Sequence, residues 1–123
     1  MNNDVIAGVL NKAVGYLERG WCRVDFARDV LGQSLYSSDG RAVCWCAVGA
    51  VQRAALFMDT YNAHQVVEDA CGEVCKVLGL IKDSYLRGSF QSTLSSWNDK
   101  PERTQEEVVA IFKKTALVVG GDG

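Results

Sequence analysis

Asn98-Asp99-Lys100-Pro101-Glu102-Arg103-Thr104-Gln105-Glu106-Glu107-Val108-Val109-Ala110-Ile111-Phe112 is the stretch that decides the fold. Pro101 breaks the chain, because proline lacks an N–H and its ring clashes with a preceding helical turn. Thr104 and Glu107 stand three apart, the spacing of a capping box: the threonine hydroxyl accepts from the Glu107 amide and the glutamate reaches back. Val108, Ile111, Phe112, Thr115, Ala116 and Val119 then recur at helical spacing. The pattern predicts a closing helix over about 104–118, with the glycine-rich tail 119–123 fraying.

The same periodicity extends backwards. Val5, Ile6, Val9, Leu10, Ala13, Val14 and Leu17 predict a helix over about 4–19, capped by Asp4 and stopped by a left-handed Gly20. Residues 44–58 predict a second helix, with Trp45, Val48, Gln52, Ala55 and Leu56 on one face and small Cys46, Gly49 and Ala50 admitting a close neighbour. A third, about 61–78 after Asp59 or Thr60, carries a broad apolar stripe that includes Val67, Cys71, Val74, Cys75 and Leu78, with Gly79 ending it. Between 80 and 98, one or two short turns form around Tyr85, Leu86, Phe90, Leu94 and Trp97. Segment 21–43 is punctuated by glycine, serine and Asp39-Gly40, so it reads as a tethered irregular loop with room for a short hairpin. The expectation is a mostly α single domain, residues 1–123, a bundle of four to five helices. Trp45, Val48, Cys71, Val74, Ile111 and Phe112 are its expected core.

Composition excludes several classes. The chain has 123 residues, 13 basic and 15 acidic, well mixed. A nucleic-acid footprint would be more basic and more clustered, so generic nucleic-acid binding is not expected. No apolar run is long enough for a membrane span. Met1-Asn2-Asn3-Asp4 lacks the positive start of a secretory signal, and Lys12 interrupts the apolar stretch behind it, so the expected location is cytoplasmic. The five cysteines are then expected to stay reduced.

Gly20-Trp21-Cys22, Ala27-Arg28-Asp29, Trp45-Cys46-Ala47-Val48-Gly49-Ala50 and Trp97-Asn98-Asp99, with the closing helix, resemble a family of small proteins of unknown function from bacteria and their phages. The resemblance spans about residues 5–117 and is thinnest over 59–92. It implies a fold and a bacterial or phage origin. It implies no activity at any residue.

Two chemistries compete with plain packing for the polar and sulfur-bearing side chains. Cys46, near a helix start, stands where amides favour a thiolate, and His64 is the only histidine available as its base. Core packing under Trp45 is the favoured alternative. Cys44, Cys46, Cys71 and Cys75, with His64, offer a thiolate metal set. They lack the paired C-x-x-C knuckles of structural zinc, so no metal is assigned. If Cys44 and Cys46 are both helical they point to different sides. Asn98-Asp99 reads as a turn and cap ahead of Pro101, with a ligand clamp as the alternative. Arg28 and Asp29 either pair locally or line a pocket with Asp99. No nucleotide, hydrolase or metalloprotease motif appears, and no cofactor is expected.

Aromatic residues on irregular segments suit an interface. Phe26, Tyr36, Tyr85 and Phe90 are the ones helix periodicity leaves unexplained, and they define a candidate patch for a protein partner. The expectation is an accessory protein that binds a host macromolecule without catalysis. The alternative is a cysteine-dependent enzyme, or a small-ligand protein, centred on Cys46.

Overall fold

The computed structural model describes residues 3–58, 62–80 and 89–121. Among these, five helices and a small sheet follow one another: α1 (Asn3–Arg19), β1 (Ala27–Arg28), β2 (Ser34–Leu35), β3 (Cys44–Trp45), α2 (Ala47–Phe57), α3 (Ala63–Leu78), α4 (Phe90–Asn98) and α5 (Gln105–Val119). The protein is mostly α, as its periodicity predicts.

α1 lies between α5 and α2, and α3 packs on α4 and α2. Their apolar stripes meet in one core built on Ile6, Leu10, Leu17, Val48, Val51, Val74, Leu94, Val108 and Phe112, with Trp45 closing it beside the sheet. Alanine, glycine and cysteine on α2 and α3 let these backbones come close. Burying a large side chain such as Phe112 removes it wholly from water, worth about 2–3 kcal/mol of transfer free energy. Ile111 differs from expectation: it sits at the rim of the stripe and is only half-buried.

The closing helix begins as its sequence predicts. Glu107 N–H donates to the Thr104 hydroxyl at 3.2 Å, and Thr104 N–H donates to the Glu107 carboxylate at 3.1 Å. Its end is firmer than expected, since Val119 is buried inside α5 and Gly120 takes the cap position. Gly79 ends α3 at φ 76, the left-handed stop that glycine provides. Gly20 is not left-handed, contrary to expectation. A Cβ there would overlap the Val43 carbonyl, so Gly20 is required by close approach of β3. α3 begins after Asn62, itself left-handed and without a side-chain cap. Asp59 and Thr60, candidates for that start, lie outside the described residues.

The second helix is shorter than predicted. Cys44-Trp45 is strand, pairing Cys44 with Arg28 and Trp45 with Ala27, and Cys46 is the N-cap residue. Leu56, expected on the buried face, is 53 % exposed near the helix end. Segment 21–43 is not simply a loop. Its β1–β2 hairpin pairs Ala27 with Leu35 and Arg28 with Ser34, giving a sheet in the order β2-β1-β3.

Candidate functional site

The start of α2 is where distant parts of the chain meet. Asn98, the last residue of α4, is fully buried (0 % exposed). Its Oδ1 accepts from Trp21 Nε1 at 2.7 Å and from the Ala47 amide at 3.0 Å. Its Nδ2 donates to the Cys22 carbonyl at 3.2 Å and to Asp99 Oδ1 at 3.0 Å. One side-chain amide thus satisfies an orphan amide of a helix start, an indole and a loop carbonyl, as a buried polar group must. Asp99 is the C-cap residue of α4, and its carboxylate also accepts from the Val24 amide at 2.8 Å. Asp99 is therefore a cap residue, and the polar atoms of Asn98 and Asp99 are engaged by the protein's own groups. Val24 sits there at φ 76, which a β-branched residue adopts only when held.

Two arginines fasten the loops around this junction. Arg23 stacks on Trp21 and donates to the carbonyls of Lys100, Pro101 and Arg103. Arg53 lies against the rings of Tyr16, Trp45 and Phe57 and donates to the carbonyls of Ser37 and Asp39, each at 3.0 Å. Trp45 Nε1 donates to the same Ser37 carbonyl at 3.3 Å. Arg28 pairs with Asp25 at 2.8 Å, and Asp29 accepts from the amides of Leu31 and Gln33, so these two serve the hairpin locally.

The cysteines divide between sheet and helix. Cys44 and Cys46 flank Trp45 in extended backbone and therefore point to one side, unlike the opposed arrangement two helical positions would give. Cys22 joins them through the parallel bridge of Trp21 and Trp45. Burial raises the Cys22 thiol far above its ordinary value, and the neighbouring Cys44 raises it further. Cys46 is 3 % exposed, and its Sγ accepts from the Gly49 amide at 3.3 Å. Burial pushes its thiol up to about 11, outweighing the pull of the Gly49 and Val48 amides in the other direction. Cys71 and Cys75 line the core face of α3; burial raises Cys71 well above its ordinary value and Cys75 to about 11. Among the described residues, no three histidine, cysteine, aspartate or glutamate side chains gather as a metal set.

His64 lies elsewhere, near the start of α3, on a groove of about 320 Å³. Tyr36, Gln52, Leu56, Val67 and Gln91 share that groove; Cys46 does not line it. Of the interface candidates, Tyr36 is 83 % exposed and Phe26 is 45 % exposed, and the β1–β2 register sets the two opposite one another just beyond the paired strands, where both line one depression. Phe90 opens α4 half-buried, its ring packed over Gly72. Tyr85 lies outside the described residues. Val24 and Val30, whose apolar character within segment 21–43 suggests anchors onto the core, are instead 75 % and 80 % exposed, and Leu31 at the hairpin tip is 80 % exposed. The sequence carries no signal for Arg53 and Arg23, whose partners are carbonyls.

No helix among the described residues is long and apolar enough to cross a membrane. No curated protein and no solved structure matches the chain. One family model matches residues 1–117, and its coverage takes in all three segments that meet at Asn98: the chain belongs to the family of unknown function DUF6197.

Proposed function

We propose that this protein is a bacterial or phage accessory protein of the cytoplasm that works by binding a host protein through its β1–β2 hairpin, without turning over a substrate. The observation that carries this reading is the exposure of Val24, Val30, Leu31 and Tyr36 on one short segment whose backbone is pinned from below. Exposed apolar side chains clustered on a braced loop are costly to keep in water and suit an interface. The thiols favour the same reading, because a nucleophilic cysteine needs a lowered pKa and Cys46 is raised.

A second reading rests on the groove of His64. Its walls mix apolar Leu56 and Val67 with the amides of Gln52 and Gln91, a lining that suits a small uncharged ligand.

Affinity capture from the native host tests the first reading. Tyr36→Ala should lose the captured protein at unchanged melting temperature, and Cys46→Ser should retain it. Loss with Cys46→Ser alone, in a folded protein, would overturn the proposal in favour of cysteine chemistry.

A further inference from the structure

Backbone hydrogen bonds fix the direction in which each hairpin residue turns. The carbonyls of Phe26 and Arg28 accept from Cys46 at 3.2 Å and Val43 at 2.9 Å, on the β3 side. Amide and carbonyl of one antiparallel residue face the same neighbour, and the next residue faces the other way. Ala27 therefore faces β2, where Leu35 is its partner. Two residues further, the Asp29 amide donates to the Gln33 carbonyl at 3.1 Å, which continues the alternation. Gln33 and Leu35 thus face β1, and Ser34 and Tyr36 turn away from it. The Tyr36 carbonyl is taken by the Asp39 amide at 3.1 Å. By this alternation the Ser34 N–H, the Ser34 carbonyl and the Tyr36 N–H point away from β1.

These three groups form the outer edge of the sheet. Sheets ordinarily blunt such an edge with short strands, charge or proline. β2 is short, at two residues, but Gln33-Ser34-Leu35-Tyr36 carries neither charge nor proline. A depression of about 420 Å³ adjoins the edge, lined by Phe26, Ser34, Leu35, Tyr36, Asp39 and Arg41. Arg41 is already engaged by Asp39 at 2.8 Å, which leaves the aromatic rings as the depression's main attraction.

We propose that β2 receives an extended segment of the partner protein as an added strand, with an apolar side chain of that segment entering the depression beside Phe26 and Tyr36. The backbone edge selects this occupant, because an extended chain offers free amides and carbonyls whereas a helix uses its own internally. The inference rests on the partner-binding reading above and specifies the partner's conformation.

Short random peptides displayed on phage, selected against the full-length protein, supply the probe. The best binder is made unmodified and in two forms methylated on alternate backbone nitrogens. The unmodified peptide should slow hydrogen exchange at the Ser34 and Tyr36 amides. One methylated form should bind about tenfold more weakly and the other nearly as well, since only alternate amides face the edge. Ser34→Pro, which removes an outward N–H, should weaken binding similarly; if that variant fails to fold, the methylated pair decides. Selection of no binder, protection only at other amides, or equal binding by all three peptides overturns the inference. In the host capture, loss with Tyr36→Ala but not with Ser34→Pro sinks the added strand and spares partner binding. Survival of capture in both variants sinks both.

Discussion

Asn98 accepts the indole N–H of Trp21 at 2.7 Å across 77 positions of sequence, and with the same oxygen holds the Ala47 amide at the start of α2. Removing that side chain leaves a buried helix-start amide and the Cys22 carbonyl without partners. Each such group costs about 1–3 kcal/mol. Asn98→Ala should therefore lower stability by about 3 kcal/mol in urea unfolding. Asn98→Asp keeps the oxygen that accepts both bonds but loses the donor and sets a second carboxylate beside Asp99 Oδ1, so it too should be less stable. A variant as stable as the wild type in either case would remove Asn98 from the centre of the fold.

Gly49 and Gly15 should respond to alanine with opposite signs. A Cβ on Gly49 would overlap the Phe26 carbonyl, which is backbone and cannot swing away. Gly49→Ala should cost about 2–3 kcal/mol, the usual range for overpacking. Gly15 lies exposed within α1 with nothing within 4 Å of a built Cβ. Gly15→Ala should gain about 0.5–1 kcal/mol from helix propensity. Thermal unfolding of both variants checks the contrast.

The closing helix yields two graded losses. Thr104→Ala removes one partner of the capping box and should cost about 1 kcal/mol. Phe112→Ala empties a fully buried site and should cost about 3–5 kcal/mol. A denaturation midpoint unchanged in both would mean that α5 does not carry the core.

The thiols predict an alkaline limit. Cys46 ordinarily titrates near 9.0 and is held at about 11 in the fold. Below pH 9 both folded and unfolded chains keep the proton, so the full stability is present. Between 9 and 11 the unfolded chain releases its proton while the native one retains it, so stability falls as pH rises. The loss at Cys46 is on the order of 2 kcal/mol by pH 11, and Cys75 adds to it in the same direction. Melting temperature should drop from pH 8 to pH 10.5, and less steeply in Cys46→Ala. At neutral pH, native Cys46 should resist iodoacetamide and react only on unfolding; rapid labelling would show a thiolate that burial does not permit.

What sequence made legible follows from the range of the interactions. The capping box of Thr104 and Glu107 is complete within four residues, and both halves form. The stripes of α1, α3 and α5 are likewise local repeats. Cys44-Trp45 reads locally as helix because the apolar run continues into α2 without a break. Its strand pairing depends on Ala27 and Arg28, which no local pattern announces. Asn98 and Asp99 look like a cap ahead of Pro101, and Asp99 is one. The buried role of Asn98 depends on partners 51 and 76 positions away. The exposed candidates divided for the same reason: Tyr36 lies on an edge that only the sheet order defines, and Phe90 found a glycine on another helix to pack against.

The meeting at Asn98 also sets an order of events during synthesis. Trp21, Cys22 and Ala47 leave the ribosome long before residue 98, so the start of α2 must wait in water, its amide solvated, for α4 to arrive. Synthesis adds about 5–20 residues per second, so the 51 positions from Ala47 to Asn98 take seconds to make, whereas a helix forms within about a microsecond. Fragments ending before residue 98 should keep transient helices and no fixed core, and the chain becomes one cooperative unit only when its last third is in place.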